Sequence, residues 1–215
     1  MQNEQEPSSV NNTAEGAIVP ENTAQTQPVL APIGVFVWDL AKIVLLATVV
    51  IIPIRFLVFQ PFIVSGSSME PNFTHGDYLI IDEISYRFNR PERGEVIVLR
   101  YPEDPSQFFI KRIIGLPGDR LVFNGGKVKV YPGNGYDSQI LDENYLVVGT
   151  FTSPIGDDSI VLGSGQYYVL GDNRVASSDS RVWGPLERTD IVGKVWVKVF
   201  PLSDLSFFKT PQYSQ

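Results

Sequence analysis

The chain has no cysteine and a single histidine, His75, among its 215 residues. Disulfides, thiolate nucleophiles and cysteine-ligated zinc are therefore excluded, and so is a histidine-rich metal centre. No basic cluster is present, and the net charge is −7, which argues against nucleic acid as a partner. The first 34 residues contain no Lys or Arg. Their only charges are Glu4, Glu6, Glu15 and Glu21, and prolines punctuate the stretch. Residues 1–34 therefore read as a disordered acidic tail. They lack the arginine-rich amphipathic character of a transit peptide.

Hydrophobic residues make up 43% of the chain, enough for a real core. The longest apolar stretch, IGVFVWDLAKIVLLATVVIIPIRFLVF, runs from Ile33 to Phe59. Twelve uncharged residues separate Lys42 from Arg55, short of the ~20 that span a bilayer. Asp39 and Lys42 lie three apart, so they share a helix face and can pair. With Lys42 snorkelling, the span extends to Val37–Leu57. Residues 35–59 are expected to form one transmembrane anchor, with Trp38 at an interface and Pro53 in the last turn. A cleaved leader and a buried helix of a soluble protein are the rival readings. Against the first, a long acidic tail precedes the run and bulky VFQPF follows it.

Past Phe59 the pattern changes to short β-branched and aromatic runs between Gly, Pro, Asn and Asp. DYLIIDEISY, GEVIVLRY, QFFIKRIIG, RLVF, KVKVY, YLVVGTF, GQYYVLGD and IVGKVWVKVF all read as strands. VFNGGKVKV reads as a tight hairpin, with Asn124-Gly125 supplying positive φ. The fold class is mostly β: a single N-terminal transmembrane helix followed by an all-β domain with several hairpins, closed or partly closed. The expected divisions are a β-rich domain over 60–200, a β insertion without catalytic residues over about 121–165, and a C-terminal tail over 201–215.

Three stretches carry candidate chemistry. VSGSSMEPNF places Ser65, Ser67 and Ser68 around Gly66. A serine needs a base before it attacks a carbonyl. His75 lies in a turn, and to serve it would have to fold back onto Ser68 and find an orienting Asp. Lysine is the next candidate, once desolvation lowers its pKa from ~10.4. In QFFIKRIIG a strand puts Phe109, Lys111 and Ile113 on one face, so Lys111 stands between large apolar side chains. Periodicity alone favours a snorkelling edge-strand lysine over a buried base. GDNRVASSDSRVWG, residues 171–184, sets Ser177 and Ser178 beside Asp179 and Arg181. These can brace one another across a strand face or loop.

Taken together, in this order, the stretches resemble the type I signal peptidases, membrane-bound leader peptidases with a Ser-Lys dyad. The family's Gly-x-Ser-Met-x-Pro motif is GSSMEP here, followed by GDYLII and RGEVIVLRYP. Its lysine motif is KRIIGLPGD, and GDNRVASSDSRVWG matches the last motif at every fixed position. The likeness runs from the anchor to about Phe200. It implies Ser68 as nucleophile, Lys111 as general base and Ser177 as a hydrogen-bond partner orienting that lysine. Asp179 and Arg181 become a structural ion pair. The Ser68 backbone N–H would hold the oxyanion. Some members add a serine hydroxyl at the position occupied here by Gly66. Phe62, Ile63 and Met69 suit an apolar, substrate-binding wall. The implied activity is removal of signal peptides from exported preproteins, cutting after small residues of Ala-x-Ala type, without metal or cofactor. The implied partners are preproteins and the lipid bilayer. The N-terminus would be cytoplasmic and the catalytic domain extracytoplasmic. A soluble Ser-Lys protease of the self-cleaving repressor type shares the chemistry but not the anchor. A tethered β-domain that only binds would need neither Lys111 nor Ser177.

Overall fold

The computed structural model describes residues 30–57, 59–133, 136–201, 205–208, 210–211 and 213. The side chains of 30–33 and 52–60 lie outside that description, as do residues 1–29 of the expected acidic tail and the side chains of Pro53 and Arg55.

The N-terminal helix α1 covers Leu30–Leu57. It takes in the last five residues of the stretch read as tail, 30–34. Pro32 falls in its first turn, where a missing N–H removes no intrahelical bond. At 1.5 Å per residue the helix is roughly 42 Å long, enough to cross a bilayer. Its window Gly34–Ile51 is apolar and has none of its residues buried against protein. A helix apolar on all sides fits lipid better than water. The expected Asp39–Lys42 pair forms at 3.0 Å, and the Lys42 ammonium lies 5.5 Å from the Trp38 ring centroid.

The rest is β, with two four-residue helices. In chain order the elements are β1 (Phe59–Ile63), β2 (Tyr78–Asp82), α2 (Ser85–Phe88), β3 (Val96–Tyr101), β4 (Asp104–Gly115), β5 (Arg120–Asn124) and β6 (Lys127–Tyr131). Then come β7 (Gln139–Ile140), β8 (Ser159–Val161), β9 (Gln166–Leu170), α3 (Ser180–Trp183), β10 (Leu186–Glu187), β11 (Ile191–Phe200) and β12 (Ser206–Phe207). One sheet runs β1-β2-β11-β3-β4-β9-β10, with β12 on β11; the second runs β7-β6-β5-β8. Neither path closes among the described residues.

The apolar run of β3 explains its central place. Val96 and Val98 pack into one cluster with Met69, Phe73, Leu79 and Ile81, while Ile97 and Leu99 pack into another with Ile113, Val169 and Leu186. A strand covered on both faces needs no polar alternation. The second sheet closes over Ile114, Leu121, Val128 and Val130.

Four local expectations shift. DYLIIDEISY is a strand only as far as Asp82; Ser85 and Tyr86 open the short helix α2, and Ser85 N–H donates to the Asp82 carboxylate at 2.9 Å. The hairpin turn sits one residue later than expected: Gly125 and Gly126 have φ +58° and +78°, and Asn124 pairs with Lys127 in the ladder. Two consecutive positive φ values define the turn that matches strand twist, and Gly-Gly adopts it more easily than Asn-Gly. YLVVGTF is not a strand. Val147, Val148 and Phe151 are exposed, Gly149 has φ +85°, and Thr150 N–H bonds back to the Val147 carbonyl. β propensity had no partner strand to act on. The C-terminal segment is not a loose tail either. Ser206 and Phe207 pair with β11, and Phe208 stacks on the buried Phe73 at 4.4 Å.

Candidate active site

The nucleophile candidate sits on a turn fixed from both ends. Val64 N–H bonds the Asp77 carbonyl, and Gly76 N–H returns to the Val64 carbonyl, each at 2.9 Å. Gly66 has φ +93°, a conformation costly for any residue with a Cβ. Met69 and Phe73 are 1% and 0% exposed, so the segment after Ser68 is pinned into the core. Met69 was expected on the site wall. It points inward instead, packs in the core and accepts a 3.4 Å bond on its sulfur from Asp172 N–H.

Lys111 reaches that turn from β4. Its Nζ lies 2.9 Å from Ser68 Oγ and 2.9 Å from the Ile110 carbonyl oxygen, and 5.2 Å from the Phe109 ring centroid. The side chain is buried, 3% exposed. Burial pulls its pKa down to about 8, against the opposing pull of Asp179 and Asp172. Among the described residues its Nζ bonds only Ser68 Oγ and the Ile110 carbonyl, not a carboxylate, so desolvation wins. A large fraction of Lys111 is thus neutral in mildly alkaline solution and can accept a proton.

His75 does not compete. It is exposed, and its Nδ1 faces Gly66 N–H at 3.4 Å rather than Ser68 Oγ.

The segment after β9 backs the nucleophile. Asn173 N–H donates to the Ser68 carbonyl at 3.0 Å, and Asn173 Nδ2 to the Ser67 carbonyl at 3.1 Å. At Gly171 an added Cβ would sit 2.4 Å from the Ser68 carbonyl oxygen and 2.2 Å from Ser177 Oγ. Ser177 is therefore in the site. Its Oγ, however, is buried without a hydrogen-bond partner, so the expected bond to Lys111 is not made.

Asp179 and Arg181 form a two-bond pair at 2.8 Å each, and Asp179 also accepts from Gly171 N–H at 3.0 Å. The same carboxylate caps α3 by accepting from Arg181 N–H. Its role is to fix the segment that contacts Ser68.

Sequence reasoning missed a second buried pair. Arg112 Nε and Nη2 grip Asp172 at 2.8 and 2.7 Å, Arg112 Nη1 donates to the Gly94 carbonyl, and Asn72 Nδ2 donates to Asp172 at 2.8 Å. The signal was present: Arg112 follows Lys111, and Asp172 opens the loop containing Ser177. Nothing in the sequence said that they meet.

A cleft opens beside Ser68, lined by Phe62, Ile63, Ser65, Phe108, Phe109 and Lys111, with a volume of about 90 Å³. Phe62 and Phe108 meet edge to face across it at 5.5 Å. The Ser68 N–H donates to no protein acceptor among the described residues.

Residues 37–200 match the family model described as signal peptidase, peptidase S26. The chain belongs to the signal peptidase family. Among curated relatives, a probable signal peptidase I-1 of Synechocystis is 34% identical over 187 residues, covering 83% of this chain and 90% of its own. A probable signal peptidase I-2 of the same organism is 39% identical, covering 76% and 73%. A signal peptidase I of Leptolyngbya laminosa is 36% identical, covering 79% and 83%. Of solved structures, a signal peptidase I from Enterococcus faecalis aligns with 49% of this chain and 97% of its own at 28% identity and a TM-score of 0.40. The chain is accordingly a peptidase of the signal peptidase I type, and its apolar N-terminal helix fits a single-pass membrane protein.

Proposed function

We propose that this signal peptidase cuts exported preproteins after small residues through a Ser68–Lys111 dyad. The observation that carries the reading is the 2.9 Å contact between Ser68 Oγ and a Lys111 Nζ shielded from water. Neutral Lys111 takes the Ser68 proton as Oγ attacks the scissile carbonyl. The oxyanion forms beside the Ser68 N–H, where the loss of one donor costs ~10²–10³ in rate. The Lys111 ammonium then protonates the leaving amine. Water, deprotonated by Lys111, hydrolyses the ester, and Ser68 recovers its proton.

Strand addition is the natural way to bind a peptide here. β4 pairs with β3 from Phe108 to Arg112 but with β9 only from Arg112 onward, so among the described residues Phe108–Lys111 keep one edge without a partner strand. The β1 side of the same cleft supplies Phe62 and Ile63. A substrate strand between them would carry its side chains into a space of about 90 Å³. That volume favours Ala-sized residues before the cut. Ser177, Asp179 and Arg181 hold the wall that bears on Ser68. The second oxyanion donor is not Gly66, which has no hydroxyl. Signal peptides emerge on the far side of the membrane, so the β-domain is assigned outside the cytoplasm, the anchor in the bilayer and the N-terminus in the cytoplasm.

The test uses purified full-length chain in detergent and a preprotein with an Ala-x-Ala cut site. Ser68→Ala and Lys111→Ala are each expected to lose at least ~10³-fold in kcat/KM. Wild-type cleavage by Ser68→Ala would falsify the dyad.

A further inference from the structure

A second concavity, of about 500 Å³, borders the nucleophile turn on its C-terminal side. This is within the roughly 300–1,000 Å³ usual for ligand sites. Its walls include Glu70, Pro71, Val147, Phe151, Asn173 and Val175, with the ion-paired Asp172 and Arg174 behind them. None of these lines the cleft containing Phe62 and Lys111. The apolar ones are open to solvent: Phe151 is 62% and Val175 93% exposed. Neighbouring Val148 is fully exposed. Apolar groups clustered this openly mark a contact surface rather than a defect of packing.

We propose that this groove receives the first residues of the mature chain, on the far side of the scissile bond, and gives the enzyme a preference for apolar side chains there. The proposal rests on the peptidase reading above. Three observations favour this occupant. First, the groove is continuous with the nucleophile. Glu70 is two residues beyond Ser68, so their Cα atoms are at most about 7.6 Å apart. An extended peptide gains roughly 3.3 Å per residue, so the second or third residue past the cut reaches the walls. Second, the walls are tied to the reacting atoms. Asn173 bonds the Ser67 and Ser68 carbonyls, and the Phe151 ring is seated on Gly126, where an added Cβ would lie 2.1 Å from it. Third, the charge does not suit a lipid surface. The loop from Leu141 to Ile160 carries Asp142, Glu143, Asp157 and Asp158 and no Lys or Arg. Arg174, at the groove, is buried on Glu143. Anionic headgroups would find no cation here. A peptide whose new α-ammonium is released near Glu70 would meet a favourable charge.

The experiment compares two peptides identical up to the cut. One continues for six residues with Leu at the second and third; the other ends in a small chromogenic amide immediately after the cut. Full-length enzyme in detergent is assayed on both. V175D is expected to lower the ratio of kcat/KM, extended over short, about tenfold. V161D, exposed on β8 away from the groove, is expected to leave that ratio unchanged. Replacing the two Leu by Asp should reproduce the fall in wild type. An unchanged ratio in V175D overturns the proposal. So does a V175D defect that shows only when lipid vesicles are added, which would assign the loop to the bilayer. Failure of wild type to cleave either peptide overturns the proposed cleavage after small residues and this inference with it.

Discussion

Lys111 concentrates the chemistry and its cost in one side chain. Burial that brings its pKa from 10.5 to about 8 also destabilises the fold wherever the group is charged. The unfolded chain binds the proton more tightly than the folded one. The penalty is fully present below about pH 8, on the order of 3 kcal/mol, and fades as pH rises toward 10.5. Lys111→Met should therefore be inactive yet more stable than wild type at pH 7. That gain should shrink between pH 8 and 10.5 in urea titrations. In wild type, kcat/KM should rise about tenfold per pH unit below about pH 8 and level off above it. A flat profile from pH 6 to 9 would contradict a desolvated base.

At the level of elements, the site depends on how β4 and the loop after β9 are held together. Arg112 on β4 and Asp172 in that loop are both buried, so breaking the pair leaves an uncompensated charge. Asp172→Ala is expected to cost about 3–5 kcal/mol in chemical denaturation. Arg112→Met with Asp172→Leu, removing both charges, should recover part of it. Gly171 makes the complementary point through space. Its missing Cβ leaves room for the Ser68 carbonyl and the Ser177 hydroxyl. Gly171→Ala must displace one of them, and about a tenfold loss of kcat/KM is expected.

For the whole molecule, the proposed placement of α1 in the bilayer sets where the enzyme works. Alkaline carbonate should leave the chain in the membrane pellet. Protease added outside intact cells should degrade the β-domain while an epitope at the N-terminus survives; the reverse pattern would invert the assigned orientation. The domain does not end where the family match ends. That match stops at residue 200, yet β12 extends the sheet and Tyr213 lies against Gly94, where an added Cβ would be 2.9 Å from its ring.

The sequence by itself determined the apolar helix and the β class of the body, and its resemblance to the signal peptidases singled out Ser68 and Lys111 as a pair worth testing. These follow from local composition, from period-two alternation and from motifs whose order is written along the chain. The Asp39–Lys42 pair was legible for the same reason, since helix geometry alone brings positions three apart together. Only the tertiary structure decided what depends on contacts between distant segments. YLVVGTF has the residues of a strand but no neighbour to pair with. Met69 turns into the core because Phe73 and the sheet beneath draw that segment inward. Lys111 could not be told from a snorkelling lysine until β3, β4 and the nucleophile turn closed around it. A pKa set by desolvation is a property of the surroundings, and the surroundings are assembled by the fold.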